Sequence, residues 1–265
     1  MKTIDLDHVA LAFERRRDAW PRYGGDLPGK WISGGTANGF ANYQLEYANG
    51  MRLEVLEPAR VEENDFLRRF LDRSGPGPHH LTFKVPDIGA AIAMVEDRGF
   101  HPVGINVTFP WWKEMFLHPK EVPGIVIQIA QSEGGDWDSQ PPAGFPPART
   151  TEPVVLERVV HAVADLAEGL RVFRDLLGGV EQGAGDSDEG LWVDLAWPGA
   201  GRIRLITGPP LDGRMGRLHH LDFVTEAPEE VAGASRIPGT DLWEVPPERN
   251  HGTRLVMKCH PAETI

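Results

Sequence analysis

The sequence predicts an α+β protein of four βαβββ units, arranged as two paired modules with concave mixed sheets. Three observations predict this. A short β-like run with a histidine near its head occurs twice in the first half, as Leu6-Asp7-His8-Val9-Ala10 and as His79-His80-Leu81-Thr82-Phe83, each followed by polar residues and a helix-like segment. The pattern restarts at an offset of 150: Leu156-Glu157-Arg158-Val159-Val160 matches the segment that begins at Leu6, and Arg202-Ile203-Arg204-Leu205-Ile206 matches the one that begins at Arg52. Finally, Leu218-His219-His220-Leu221-Asp222-Phe223 repeats the second histidine motif.

The first unit opens with a strand from Leu6 to Phe13, followed by a helix from Arg15 to Tyr23 that Gly24-Gly25 should stop. Extended runs follow at Lys30 to Ser33, Phe40 to Tyr47 and Met51 to Leu56, the last two joined by the hairpin signal Asn49-Gly50. A helix from Glu63 to Asp72 leads through Gly75-Pro76-Gly77-Pro78 into the second unit. There, a strand from His79 to Val85 precedes a helix from Ile88 to Arg98, opened by Pro86-Asp87 and ended by Gly99. Runs at Pro102 to Thr108, Lys113 to Leu117 and Ile125 to Ala130 complete it.

Residues 132–153 are rich in Pro, Gly and polar side chains and read as a linker, which Trp137 and Phe145 should press onto a surface. The expected organisation is a metal-bearing domain at 1–131, the linker at 132–153, and a degenerate paired domain at 154–265. In the fourth unit the helix is shortened and broken by Pro238, and Arg254 to Lys258 should be the closing strand.

At 265 residues, 41% hydrophobic and 25% charged, the chain can bury a sizeable core in each of two domains. A net charge of −12 argues against nucleic acid or an anionic membrane as partner, since either needs a basic surface. A small-molecule substrate is the expected partner, with the protein a monomer or homodimer. The charged start Met1-Lys2-Thr3-Ile4-Asp5 is unlike a signal peptide, and no apolar run approaches a membrane span, so a cytoplasmic location is expected. With Cys259 the sole cysteine, there is no intrachain disulfide and no thiolate zinc site. Any metal must use His, Asp, Glu or amide side chains.

Each unit of the first half offers one histidine on its first strand and one carboxylate or amide on its last: His8 with Glu54, and His80 with Gln128. The histidines lie 72 positions apart and the other pair 74, so units related by a pseudo-twofold axis would bring all four into one concavity. Two imidazoles, a carboxylate and an amide oxygen suit a divalent first-row metal, with room for two waters or a bidentate substrate. Glu54 as the one negative ligand would leave the metal more Lewis acidic than two carboxylates would. Asn42, Gln44 and Glu46 share one face of the preceding strand, and either line the same cavity or are solvated. Trp111 and Trp112 are core or dimer-contact residues, or one wall of an apolar pocket. His79 should face away from His80 and be structural.

These motifs, with Phe116-Leu117-His118-Pro119-Lys120 leading into Gly124-Ile125-Val126-Ile127-Gln128, resemble the vicinal oxygen chelate superfamily of glyoxalase I, methylmalonyl-CoA epimerase, extradiol dioxygenases and metal-free antibiotic-binding proteins. The first half is most similar to the epimerase branch. The resemblance implies one divalent ion per chain (Zn, Co, Ni, Mn or Fe) on His8, Glu54, His80 and Gln128. It also places Lys120 beside the site, as a contact for an anionic substrate.

Two departures stand out. The amide and the carboxylate ligands are exchanged between the units, and the position of the epimerase base falls near Asn42, which cannot take a proton. Glu54, and after it Glu46, is then the expected proton acceptor. In the second half the four positions become Arg158, Arg204, His220 and about Met257, a set that cannot hold a divalent cation. That half should be structural, substrate-enclosing, or anion-binding through Arg158 and Arg204.

The expected function is a metal-dependent isomerase or lyase that acts on adjacent substrate oxygens through a stabilised enolate. The alternatives are an Fe(II)-dependent dioxygenase of the same fold and a small-molecule binding or antibiotic-sequestering protein.

Overall fold

The structure is a computed structural model that describes residues 3–133, 139–188 and 190–260. Its first eight strands are β1 (Asp5–Ala12), β2 (Lys30–Ala37), β3 (Gly39–Glu46), β4 (Arg52–Ala59), β5 (Gly77–Lys84), β6 (Val103–Phe109), β7 (Trp112–Leu117) and β8 (Val126–Ser132). They form one sheet in the order β2-β3-β4-β1-β5-β8-β7-β6. The next eight are β9 (Val155–Val163), β10 (Val180–Ser187), β11 (Gly190–Ala196), β12 (Arg202–Ile206), β13 (Gly216–Thr225), β14 (Ser235–Arg236), β15 (Trp243–Val245) and β16 (Leu255–Cys259). Their order, β10-β11-β12-β9-β13-β16-β15-β14, repeats that of the first sheet. The predicted α+β class, with four units paired in two mixed sheets, is what the chain adopts, although 3-10 and π turns fill the helical position of the first and fourth units.

Side-chain alternation sorts the two faces of the first sheet. In β3, Ala41, Tyr43 and Leu45 are buried, while Asn42, Gln44 and Glu46 between them are half-buried on the opposite face. Val9 and Leu11 of β1, Leu53 and Val55 of β4, Leu81 and Phe83 of β5, and Ile127 and Ile129 of β8 are fully buried. On the other side, helix α1 (Phe66–Ser74) lays Leu67 and Leu71 against Ala10, Ala12 and Leu56. Small residues at 10 and 12 make room for that helix; the histidine at 8 lies beyond them on the same face.

Three local elements differ from expectation. The helix expected at Arg15 to Tyr23 is a 3-10 turn (Arg16–Ala19) followed by a π-helical turn (Pro21–Asp26), because Pro21 has no N–H with which to continue an α-helix. Gly24-Gly25 lies inside that turn and does not end it. A side chain at Gly24 would strike the ring of Phe145, so the glycine admits the linker. The helix expected from Glu63 starts at Phe66, after a turn at 61–63. Helix α2 (Ile88–Asp97) forms as predicted, with the Asp87 side chain accepting from the Ala90 N–H.

In the third unit, helix α3 (Leu166–Leu170) passes into a π-helical turn (Arg171–Leu176), and the fourth keeps only a 3-10 turn (Pro228–Glu230) at the corresponding place. Among the described residues, no helix is long and apolar enough to cross a membrane.

The sheets follow chain order, but compact packing divides the chain otherwise. One unit comprises Met1–Val9, His79–Asp136 and Arg158–His219, and the other Ala10–Pro78, Trp137–Glu157 and His220–Ile265. In the first unit, the fully buried His161 donates from Nε2 to the Pro123 carbonyl at 2.6 Å, and Phe83 meets Trp197 edge-on. In the second, Arg22 pairs with Asp26 at 2.8 Å, and Asn250 bonds both Arg22 and the Tyr23 hydroxyl. Phe145 there packs against Trp20, Trp31 and Tyr43, while Trp137 lies outside the described residues.

Candidate metal centre

His8, Glu54 and His80 come from three different strands, and each offers one ligand atom within 4.8 Å of the others. All three side chains are buried. The two imidazoles meet edge to face, with centroids 5.8 Å apart. β1 lies between β4 and β5 in the sheet, so the middle strand carries His8 and its two neighbours carry the other two residues.

Each member is oriented by a neighbour. Nδ1 of His8 lies 2.7 Å from Oδ2 of Asp7, a carboxylate that holds the proton on Nδ1 and leaves the ring lone pair on Nε2. Nδ1 of His80 lies 2.8 Å from Nδ1 of His79, so His79 supports the ring of its neighbour. Glu54 Oε1 accepts from Asn42 Nδ2 at 2.7 Å and from Gln44 Nε2 at 3.3 Å, and both donors stand on β3.

Gln128 occupies the rung beside Thr82, two residues beyond His80 on β5. Its Oε1 accepts from Thr82 Oγ1 at 2.6 Å, and its Nε2 donates to Glu114 Oε2 at 2.7 Å. Trp112 Nε1 donates to the same Glu114 oxygen at 2.7 Å. Glu114 belongs to the face that bears Gln128, since Phe116 pairs with Gln128 and Glu114 with Ala130. The sequence alone does not mark Glu114, because the pairing of its strand with Gln128 is fixed only in the sheet; the two-residue step from Phe116 carries the signal.

The remaining expected residues lie outside the three-residue cluster. Glu46 forms an ion pair with Arg52 at 2.9 Å at the end of β3. Trp111 is 48% exposed at the β6–β7 turn, whereas Trp112 stands on the Gln128 face with Lys84 Nζ 3.7 Å above its ring. Lys120 is exposed in the turn after β7, where its N–H meets Nδ1 of His118.

In the second sheet Arg204 makes a two-bond pair with Asp194 at 2.7 and 2.6 Å, and Arg158 approaches the same carboxylate at 3.4 Å. His220 lies 3.0 Å from Asp222. The ladder corrects one position. Asp222 pairs with Val256 as Thr82 pairs with Gln128, so Val256 is the counterpart of Gln128. Met257 is one residue on and fully buried. Counting across the shortened fourth unit misplaces the register by one residue, which turns a side chain to the opposite face.

Residues 7–116 match the family model described as the glyoxalase/bleomycin resistance protein/dioxygenase superfamily. Among solved structures, a 4-hydroxymandelate synthase variant from Streptomyces coelicolor aligns over 98% of this chain and 95% of its own, with 12% identity and a TM-score of 0.61. That likeness concerns the fold. A hypothetical protein, BH1468 of Bacillus halodurans, shares 25% identity over 51% of this chain and 98% of its own, with a TM-score of 0.46. A variant of methylmalonyl-CoA epimerase from Streptomyces coelicolor shares 22% identity over 50% of this chain and 100% of its own, with a TM-score of 0.44. No curated protein matches the chain.

Proposed function

We propose that this chain, whose residues 7–116 match the family model of the glyoxalase/bleomycin resistance protein/dioxygenase superfamily, is a divalent-metal-dependent isomerase or lyase whose centre is His8, Glu54, His80 and Gln128. The observation that carries the reading is the buried convergence of two imidazoles and a carboxylate within 4.8 Å. The donor set fits a first-row divalent ion: neutral nitrogen and one negative oxygen from the three clustered residues, with the Gln128 amide oxygen as the proposed fourth ligand. A bound ion would supply Lewis acidity, stabilising the charge that develops on two adjacent substrate oxygens as a neighbouring C–H proton leaves.

The chain's own residues do the rest. Asp7 fixes the His8 ring, and Asn42 and Gln44 fix Glu54. Trp112 and Phe116, on the face of Gln128, with Phe109 paired to Trp112 across the hairpin, form an apolar wall for the body of the substrate. For the proton, Glu54 is the first choice because it stands within the cluster; Glu46, held by Arg52, is the second. Residues 1–131 act as the metal-bearing domain and 154–265 as its partner, in which the arginine pair on Asp194 replaces the ligands.

The test is elemental analysis of protein purified without chelator. The parent should carry close to one divalent ion per chain, and a His8→Ala/His80→Ala variant almost none. Equal metal content in the two would overturn the assignment.

A further inference from the structure

On the reading that Gln128 is a ligand, we propose that Glu114 is the positioning residue that makes it one. Two registers carry the inference. In the first unit Gln44 pairs with Glu54, and Asn42 with Leu56, two residues beyond the ligand. In the second, Phe116 pairs with Gln128, and Glu114 with Ala130, again two residues beyond. Asn42 and Glu114 therefore hold equivalent places beside Glu54 and Gln128.

The hydrogen bonds match in length and run in opposite senses. Asn42 Nδ2 donates outward-strand amide to ligand-strand carboxylate at 2.7 Å, and Gln128 Nε2 donates ligand-strand amide to outward-strand carboxylate at 2.7 Å. Each half of the centre thus contains one carboxylate and one amide, with the order reversed.

The reversal has a chemical consequence. An amide has two ends, and only its oxygen is a metal ligand, so it must be kept from rotating. A carboxylate only accepts hydrogen bonds. Glu114 therefore draws the NH2 of Gln128 to itself and turns Oε1 the other way, where the Thr82 hydroxyl donates to it at 2.6 Å. Rotating the amide would set its oxygen against a carboxylate oxygen and forfeit a charge-assisted bond. Trp112 Nε1 holds Glu114 Oε2 from a further direction, so the orienting group is itself anchored. On the other half Asn42 and Gln44 hold Glu54 in place but need not choose between its ends, because both of its oxygens can serve a metal.

The test is a double-mutant cycle with Co(II) alone as the probe, read by chelator competition and by the visible absorption of the bound ion. Glu114→Gln should weaken Co(II) binding roughly 10-fold or more and change the spectrum in the parent. In a Gln128→Ala background it should change neither. Glu114→Asp, which keeps the charge and withdraws the acceptor by one methylene, should also weaken binding. Unchanged binding and spectrum in Glu114→Gln, or an equal loss in both backgrounds, overturns the proposal and leaves the three-residue centre standing. A parent that binds no Co(II) overturns the metal centre, and this inference with it.

Discussion

Acidification should expose a cost stored in the second half at His161. This imidazole is fully buried, donates from Nε2 to the Pro123 carbonyl, and lies with its ring centroid 5.5 Å from that of Phe173. Burial lowers its pKa from 6.5 to about 4, with the Pro123 bond opposing in part. Above the unfolded value both states are neutral, and the contribution is fully present. As the pH falls through the window from 6.5 to about 4, the unfolded chain binds a proton that the folded one refuses, so stability is lost. A shift of that size corresponds to roughly 3 kcal/mol. Urea unfolding of the parent and of His161→Leu across this window would measure it. The variant is less stable near neutrality, since the Pro123 carbonyl loses its donor, but its stability should fall less steeply on acidification. Parallel curves for the two proteins would refute the argument.

Asp7→Asn should lower metal affinity by about 10- to 100-fold while leaving the fold intact, because the amide no longer fixes the His8 tautomer; chelator competition measures this. Gly124→Ala should destabilise by about 4 kcal/mol or more, since φ is +70° and an added Cβ would overlap the Gly216 carbonyl; thermal melting, or failure to recover folded protein, reports it. Asp87→Ala should cost about 1 kcal/mol in denaturant unfolding, through loss of the cap on the Ala90 N–H.

The fold was legible wherever local chemistry and repetition agreed. Asn49-Gly50 marked the β3–β4 hairpin, where Gly50 has a φ of +88°, and Asp87 with Gly99 bracketed helix α2. Where one residue carried two messages, the expectation slipped. Gly24-Gly25 reads as a helix stop but serves a close approach by Phe145, which is some 120 residues distant in sequence. Counting along the chain points to Met257 where the ladder places Val256, because the shortened connection shows only in the pairing. Glu114 is not legible in the sequence, because a lone glutamate on a strand has no signature until its rung is known.

By itself the sequence determined the repeat, the four units and the residue types able to bind a metal, because alternation and motif spacing are properties of the backbone's own period. Which of those residues meet was decided only by the tertiary structure. It brought His8, Glu54 and His80 together from three strands, set Glu114 against Gln128, and tied Arg158 and Arg204 to Asp194. The physical reason is range. Hydrophobic period acts over a few residues, whereas convergence depends on strand order and register, which pairing between distant segments fixes.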